Sequence, residues 1–492
     1  MRKNIFTGAV FALFFLFWIY ISAQVPYTHD DWDWGLAVGW EQWLTCSVNS
    51  RLAGNFFVVV MTRSPLVKTL LMGGCMFAVP LLLAALSGEE IPFLHRFFWA
   101  NLLVLALPIT IWRQTYGWVS GFANYGISCV LLLGWLLLTQ RLDQREKASP
   151  LLPPFLFVYT LVSCLVLENV GALIFALSLF LMVWTLFCRR GRSGALSCLL
   201  GAGLGCFLLF YNPIYKELGN SGIALNGIRS LSFPAGSSLP EIVDAVLNRY
   251  VTVLLPEPFR LSAAFCLMMG ALPLLLLRRG GHKKLLVLGL LPALCAGLLA
   301  LPLNLPAWFL WAGSLLCWAA AVLAAAFSGP GGLRRAAVLL MGAGSVAPLA
   351  AITEMGERLF LLPFLLTAAV FLAAAAPALE KKPLLLVCLL ALCVQMGWYI
   401  HTYHEVGRCS ALRKELTAAA VEQGEKQVIL PTEGHIVWWG RNPQSDWRAG
   451  YYRQFYGLPD DLTLVFLPAG SLERWPEISS VHWENRMEYP PS

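Results

Sequence analysis

Three carboxylates fall within four positions in the run His29-Asp30-Asp31-Trp32-Asp33-Trp34, a few residues after the first apolar stretch. Charges this close repel and raise one another's pKa unless a cation or a basic group neutralises them. One chemistry for such a cluster is general-base catalysis at Asp30 or Asp31. The same two carboxylates can work with or without a divalent metal, Mg or Mn, held by hard oxygen ligands. The plainer reading is a solvated loop beside an aromatic belt, because tryptophan collects at membrane interfaces.

Further candidates follow along the chain. Asn49-Ser50-Arg51-Leu52-Ala53-Gly54-Asn55 offers Arg51, whose guanidinium can fork a carboxylate of the acidic run or a phosphate. Surface anchoring is its ordinary alternative. In Trp118-Val119-Ser120-Gly121-Phe122-Ala123-Asn124-Tyr125, small residues allow close backbone approach. Trp118 and Tyr125 can stack on a sugar face there, or simply belong to an aromatic belt. Glu168-Asn169 sits between apolar runs, where a carboxylate defaults to a functional hypothesis. Thr353-Glu354-Met355-Gly356-Glu357-Arg358 presents Arg358 to a lipid phosphate, or to Glu354 or Glu357 as a structural bridge. The loop 212–258, with Lys216, Arg229 and Arg249, is either a cover over a substrate or a plain connection. Trp438, Trp439, Trp447, Tyr451, Tyr452, Phe455 and Tyr456 crowd the tail, where packing on the membrane surface competes with carbohydrate stacking.

The elements that must position these residues are dictated by solvent. Of 492 residues, 58% are apolar and only 13% charged, and the mean hydropathy is +0.66. Such a chain demands a bilayer, which excludes a water-soluble enzyme, a disordered chain and a nucleic-acid binder. About thirteen apolar segments are expected to span: 4–23, 66–87, 93–112, 121–140, 151–168, 170–188, 194–211, 259–277, 284–301, 307–327, 336–352, 359–378 and 383–402. Residues 93–112, which include Pro108, and the junction near Glu168 are the least regular. The first segment reads as an uncleaved anchor, although Ile21-Ser22-Ala23 resembles a cleavage site.

Alternate connections carry short basic clamps: Arg141/Arg145/Lys147, Arg189/Arg190/Arg192, Arg278/Arg279/Lys283, Arg334/Arg335 and Lys381/Lys382. Cations gather on the cytoplasmic side, so the N-terminus is expected inside and the C-terminus outside. The net charge of +7 is then a topology signal. The unusual polar stretches, including the first outer loop 24–65, face outward. Residues 1–402 form the membrane domain. Residues 403–492 carry 21 charged side chains and read as a small α/β extracytoplasmic domain, with an amphipathic helix over 405–422 and strands at Gln427–Leu430 and Leu462–Leu467. Cys46 and Cys409 lie outside the spans and are a candidate disulfide pair. No phosphate-cradling glycine loop, HExxH, GxSxG or paired CxxC is present.

The layout resembles the GT-C superfamily of membrane glycosyltransferases: one N-terminal span, an acidic outer loop at once, about a dozen spans and an outer C-terminal domain. Asp30-Asp31-Trp32, Asn49-Ser50-Arg51, Trp118 to Tyr125, Glu168-Asn169, Glu357-Arg358 and the ending Trp447 to Tyr456-Gly457-Leu458 look like the spaced motifs of an uncharacterised bacterial family. That family is related in layout to the glucosyltransferases that decorate O-antigen. The resemblance implies transfer of a sugar from a polyprenyl-phosphate donor to a glycan or lipid acceptor outside the bacterial cytoplasmic membrane. Asp30 or Asp31 would be the base or metal carboxylate. Arg51, Asn55, Trp118, Asn124, Tyr125, Glu168, Asn169, Glu357 and Arg358 would bind substrate. The superfamily has metal-dependent and metal-independent members. A transporter or flippase, and a non-enzymatic envelope assembly protein, are the competing classes. Against the first, no internal repeat or paired broken helices are visible.

Overall fold

The computed structural model describes residues 2–140, 142, 149–188, 190–223, 230–353, 355–432 and 449–468. Arg141, Arg145, Lys147, Arg189, Arg229, Glu354, Trp438, Trp439 and Trp447 lie outside the described residues.

Apolar runs fold as helices because only a helix satisfies every backbone donor and acceptor without water. Helix α1 is Arg2–Gln24. Short helices α2 (Asp31–Gly35), α3 (Ala37–Thr45) and α4 (Leu52–Arg63) follow, then α5 (Pro65–Leu86), α6 (Phe93–Leu105) and α7 (Ile109–Gln114). Next come α8 (Val119–Thr139), α9 (Leu152–Cys164), α10 (Glu168–Cys188), α11 (Arg192–Phe210) and α12 (Pro213–Ser221). The second half holds α13 (Leu239–Leu261), α14 (Ala263–Arg279), α15 (Leu286–Ala300), α16 (Ala307–Ala326), α17 (Gly332–Ala351), α18 (Glu357–Leu379) and α19 (Lys382–Glu422). Strand β1 (Gln427–Thr432), helix α20 (Ala449–Tyr456) and strand β2 (Thr463–Pro468) end the described chain.

Among the described residues, nine helices are long and apolar enough to cross a membrane: α1, α5, α8, α10, α11, α16, α17, α18 and α19. They make the chain a helical, multi-pass membrane protein. Four expected spans differ. In 93–112 the helix stops at Leu105, because Pro108 lacks a backbone donor and disfavours helix at the residue before it. Segment 151–168 ends at Cys164, and the chain turns before Glu168 opens α10. Segment 259–277 is bent by 104° at Ser262, between α13 and α14. Segment 284–301 holds a helix of 15 residues, short of the ~20 that span a bilayer.

Helices α8 and α18 are buried on nearly all faces, whereas α1, α10, α11 and α15 expose large apolar side chains such as Leu13, Phe180, Phe207 and Leu294. That arrangement suits a bundle whose rim meets lipid. Ser64 caps α5 by accepting a hydrogen bond from the Val67 amide at 3.3 Å, and Pro65 takes the first helical position. Helix α8 includes a π turn over Phe122–Gly126. One extra residue per turn there re-aims Asn124 and Tyr125.

Helix α19 passes through the expected boundary at 402/403 without a break and absorbs the helix expected over 405–422. Beyond it, β1 and β2 pair in parallel with Gln427 opposite Thr463, and α20 lies in the crossover that parallel pairing requires. Ala420, Val428, Leu430, Leu462 and Phe466 form a small core of their own. None of the thirteen cysteines is joined in a disulfide, so Cys46 and Cys409 do not pair. The Cys46 thiol turns to the Trp43 carbonyl and the Cys409 thiol to that of Pro431.

Candidate active site

The acidic run is built as a sharp turn. His29 adopts a φ of 58°, a left-handed conformation that a residue with a Cβ takes reluctantly. The turn drives Asp31 inward, where it is fully buried. One carboxylate oxygen accepts the Thr28 amide at 2.9 Å; the other accepts the Ser120 amide at 2.8 Å and the Ser120 hydroxyl at 2.5 Å. Asp31 therefore pins the loop to the start of α8. Burial, then the charge of Asp30, pushes its pKa up to about 7, against the pull of those hydrogen bonds. Asp30 is half-buried, and its Oδ1 has no hydrogen-bond partner among the described residues. The two adjacent carboxylates thus differ: Asp31 is tied down, whereas Oδ1 of Asp30 is buried without a hydrogen bond among the described residues.

Arg51 pairs with Glu168. Its Nε donates to Glu168 at 2.8 Å and its Nη2 lies 2.7 Å from the same oxygen; Tyr215 donates to the other. The pair is nearly buried, with each side chain below 15% exposure (13% and 14%). Glu168 opens α10, where the helix dipole favours a negative charge. The side chain of Asn49 accepts from both the Arg51 amide and the Asn55 side chain, at 3.0 Å each, so buried Asn55 holds the backbone of Arg51. Asn169 donates to the Ser345 carbonyl at 3.0 Å and ties α10 to α17.

Arg358 lies between aromatic faces. Its guanidinium carbon is 5.6 Å from the Trp118 ring centre and 5.3 Å from that of Tyr125, a cation–π arrangement. Glu357 does not bridge to it; Glu357 accepts from Gln114, whose side-chain oxygen takes 3.4 Å contacts from Arg358. The Tyr125 hydroxyl is within electrostatic reach of Arg358, Arg51 and Glu168. The His29 ring meets the Trp118 edge with centres 5.7 Å apart. The acidic turn, Trp118, Arg358, Tyr125 and the Arg51–Glu168 pair are therefore one connected cluster. Trp118 Nε1 and Asn124 Oδ1 are buried and carry no hydrogen bond among the described residues.

Some members were not singled out from sequence. Ser120 holds Asp31, and Gln114 links Glu357 to Arg358. Lys68 is buried near the start of α5, donates to the carbonyls of Ala23 and Val25, and lies within electrostatic reach of Asp31. A lone lysine inside an apolar helix was the available signal. The tail also arrives here. Tyr452 of α20 meets Trp32 at 5.2 Å and Phe455 meets Tyr27 at 5.4 Å. Gly35 leaves room for the Phe455 ring, since a Cβ there would sit 2.1 Å from it. The crowded tail aromatics within the described residues thus pack on the acidic loop.

A divalent cation takes about six oxygen ligands. Thr28 and Ser120 already hydrogen-bond both oxygens of Asp31, and Oδ1 of Asp30 is buried without a hydrogen bond among the described residues. Among the described residues no three His, Cys, Asp or Glu side chains converge as a metal-holding group. Comparisons with family models, with curated proteins and with solved structures find no match to this chain.

Proposed function

We propose that this protein is a GT-C-type glycosyltransferase of a bacterial cytoplasmic membrane, with about thirteen spans, a cytoplasmic N-terminus and a small extracytoplasmic domain at 403–492. It moves a sugar from a polyprenyl-phosphate donor to a glycan or lipid acceptor on the outer side. The observation that carries this reading is the division of labour between Asp31, anchored on Thr28 and Ser120, and Asp30, which keeps an unpartnered oxygen beside a cluster containing Arg358.

In this mechanism Asp30 accepts the proton of the acceptor hydroxyl. The acceptor oxygen bonds to the anomeric carbon as that carbon's bond to the donor phosphate breaks. The electron pair leaves with polyprenyl phosphate. Arg358, held by Trp118 and Tyr125, neutralises the departing phosphate, and Arg51, paired with Glu168, positions the substrate-facing side of Tyr125. Asp31 positions the turn. Asn55, Asn124, Glu168, Asn169 and Glu357 set the places of these groups through the contacts above. A lipid-linked donor also accounts for chemistry at a membrane face with no nucleotide-binding loop. No step requires a metal.

The test is sugar transfer by purified protein. Asp30→Asn is expected to lower the rate about a hundredfold or more without lowering the melting temperature. Full activity in Asp30→Asn, Asp31→Asn and the double variant would sink the assignment. Movement of a lipid substrate across proteoliposomes without a covalent product would replace it with a flippase.

A further inference from the structure

Three helices meet at Cys164, the last residue of α9. Two glycines make the approach close. A Cβ on Gly171 of α10 would stand 2.8 Å from the Cys164 carbonyl oxygen, and one on Gly205 of α11 would stand 2.7 Å from the Cys164 Cβ. Without side chains there, the backbones can press together. The contact brings Cys206 of α11 beside Cys164. Both thiols turn to one atom, the Gly171 carbonyl oxygen, which lies 3.8 Å from Cys164 Sγ and 3.3 Å from Cys206 Sγ. The two thiols are also within electrostatic reach of each other. Cys164 is buried and Cys206 half-buried, so a reagent meets Cys206 first.

Helix α11 carries another thiol, Cys198, which lies roughly 12 Å back along the helix axis at ~1.5 Å per residue. It sits by Thr160 and Trp135, one level below the shared carbonyl. Cys206 is therefore the partner that the geometry selects for Cys164.

We propose that Cys164 and Cys206 are a reversible disulfide pair, closed by a disulfide oxidant and opened by thiols. The Cys206 thiolate attacks one sulfur of the oxidant, and a first thiolate leaves. The Cys164 thiolate then attacks the Cys206 sulfur of the mixed disulfide, and a second thiolate leaves. The pair gives up two electrons and two protons, and the oxidant departs as two molecules of thiol. On an oxidising side of a membrane the closed form persists. The link staples α9 to α11 just before the turn whose Leu165 carbonyl accepts the Ala53 amide and which ends at Glu168. The inference is independent of the glycosyltransferase reading, because neither thiol takes part in that reaction.

The test uses the full-length protein in detergent, reduced, freed of reductant and treated with dithiodipyridine, an aromatic disulfide that enters apolar surroundings. Remaining thiols are blocked with N-ethylmaleimide, and the protein is digested and mapped by mass spectrometry without reductant. A peptide pair joining Cys164 to Cys206, two hydrogens lighter than its separate parts, is expected. Relative to Cys206→Ser treated alike, the melting temperature is expected to rise by several degrees on oxidation and to fall back with dithiothreitol. Cys198→Ala should change neither result. Adducts on both Cys164 and Cys206 in place of the link, or a link from Cys164 to Cys198, would overturn the pair. A closed link without the reversible rise would overturn the staple. Should Cys206→Ser fail to fold, the peptide map of the wild type decides the pair, and its reversible shift against Cys164→Ser decides the staple.

Discussion

Asp30 and Asp31 are neighbours with the same side chain, yet burial and partners separate them. Asp31 carries a pKa raised from 3.8 to about 7, first by burial and then by Asp30. A carboxyl whose folded pKa lies above its unfolded value binds more protons in the folded state across that interval. Its stability contribution is thus full below about pH 4 and is lost as pH rises through about 7. The melting temperature of the wild type should fall over that window. Asp31→Asn should flatten the fall, and an unchanged slope would show that another group governs it. Ser120→Ala removes one hydrogen bond to the buried carboxyl and should cost about 1–3 kcal/mol, read as a lower melting temperature with the fall steepened. Arg358→Lys keeps the charge but loses the planar fork and the stacking on Trp118 and Tyr125. It should lower kcat for transfer more than it raises the KM for the lipid donor. The reverse pattern would argue that Arg358 only holds the bound donor.

At the scale of elements, close backbone approach sets the geometry of the site. The N-terminus of α4 lies on the turn before α10: the Ala53 amide donates to the Leu165 carbonyl at 3.1 Å. A Cβ on Gly54 would stand 2.5 Å from the Val166 carbonyl oxygen and 2.6 Å from Asn124 Oδ1. Gly54→Ala must therefore push α4 away from both α8 and the Arg51–Glu168 pair. Overpacking of this kind costs about 1–3 kcal/mol, and transfer should fall along with the melting temperature. Wild-type activity and stability together would mean that the approach is looser than described. The broken segments serve the site as well. The turn at Leu165–Leu167 frees Glu168 to face Arg51, and the break at Pro108 starts α7, which delivers Gln114 to Glu357 and Arg358.

For the molecule as a whole, the two ends differ in chemistry. Carboxylates and aromatic rings gather at one end of α5, α8 and α18, and arginines at the other. Helix α19 has 41 residues, roughly 60 Å at ~1.5 Å per residue, about twice the hydrocarbon thickness of a bilayer. Its second half therefore has to stand clear of the apolar layer, and it carries β1, β2 and α20 back over the acidic turn. With the N-terminus inside, a tag at the C-terminus should be labelled by a membrane-impermeant reagent in cells with an opened outer envelope. Labelling only after the cytoplasmic membrane is lysed would invert the topology and remove the outer-face reaction.

Sequence alone determined that the chain is a helical membrane protein, where most of its apolar helices lie and that Gln427–Leu430 and Leu462–Leu467 are strands. These follow from apolar run length and period, which act locally. It also singled out the acidic run, Arg51, Trp118, Tyr125, Glu168 and Arg358, because charged and aromatic side chains stand out in an apolar chain. Who pairs with whom was decided by tertiary structure. Nothing in the order of residues brings Arg51 to Glu168, 117 positions away, or sets Ser120 on Asp31 across 89 positions. The unbroken course of α19 and the return of α20 onto Trp32 and Tyr27 were equally hidden. Such choices depend on which helix ends meet, and that is set by packing among many apolar faces whose patterns are nearly alike.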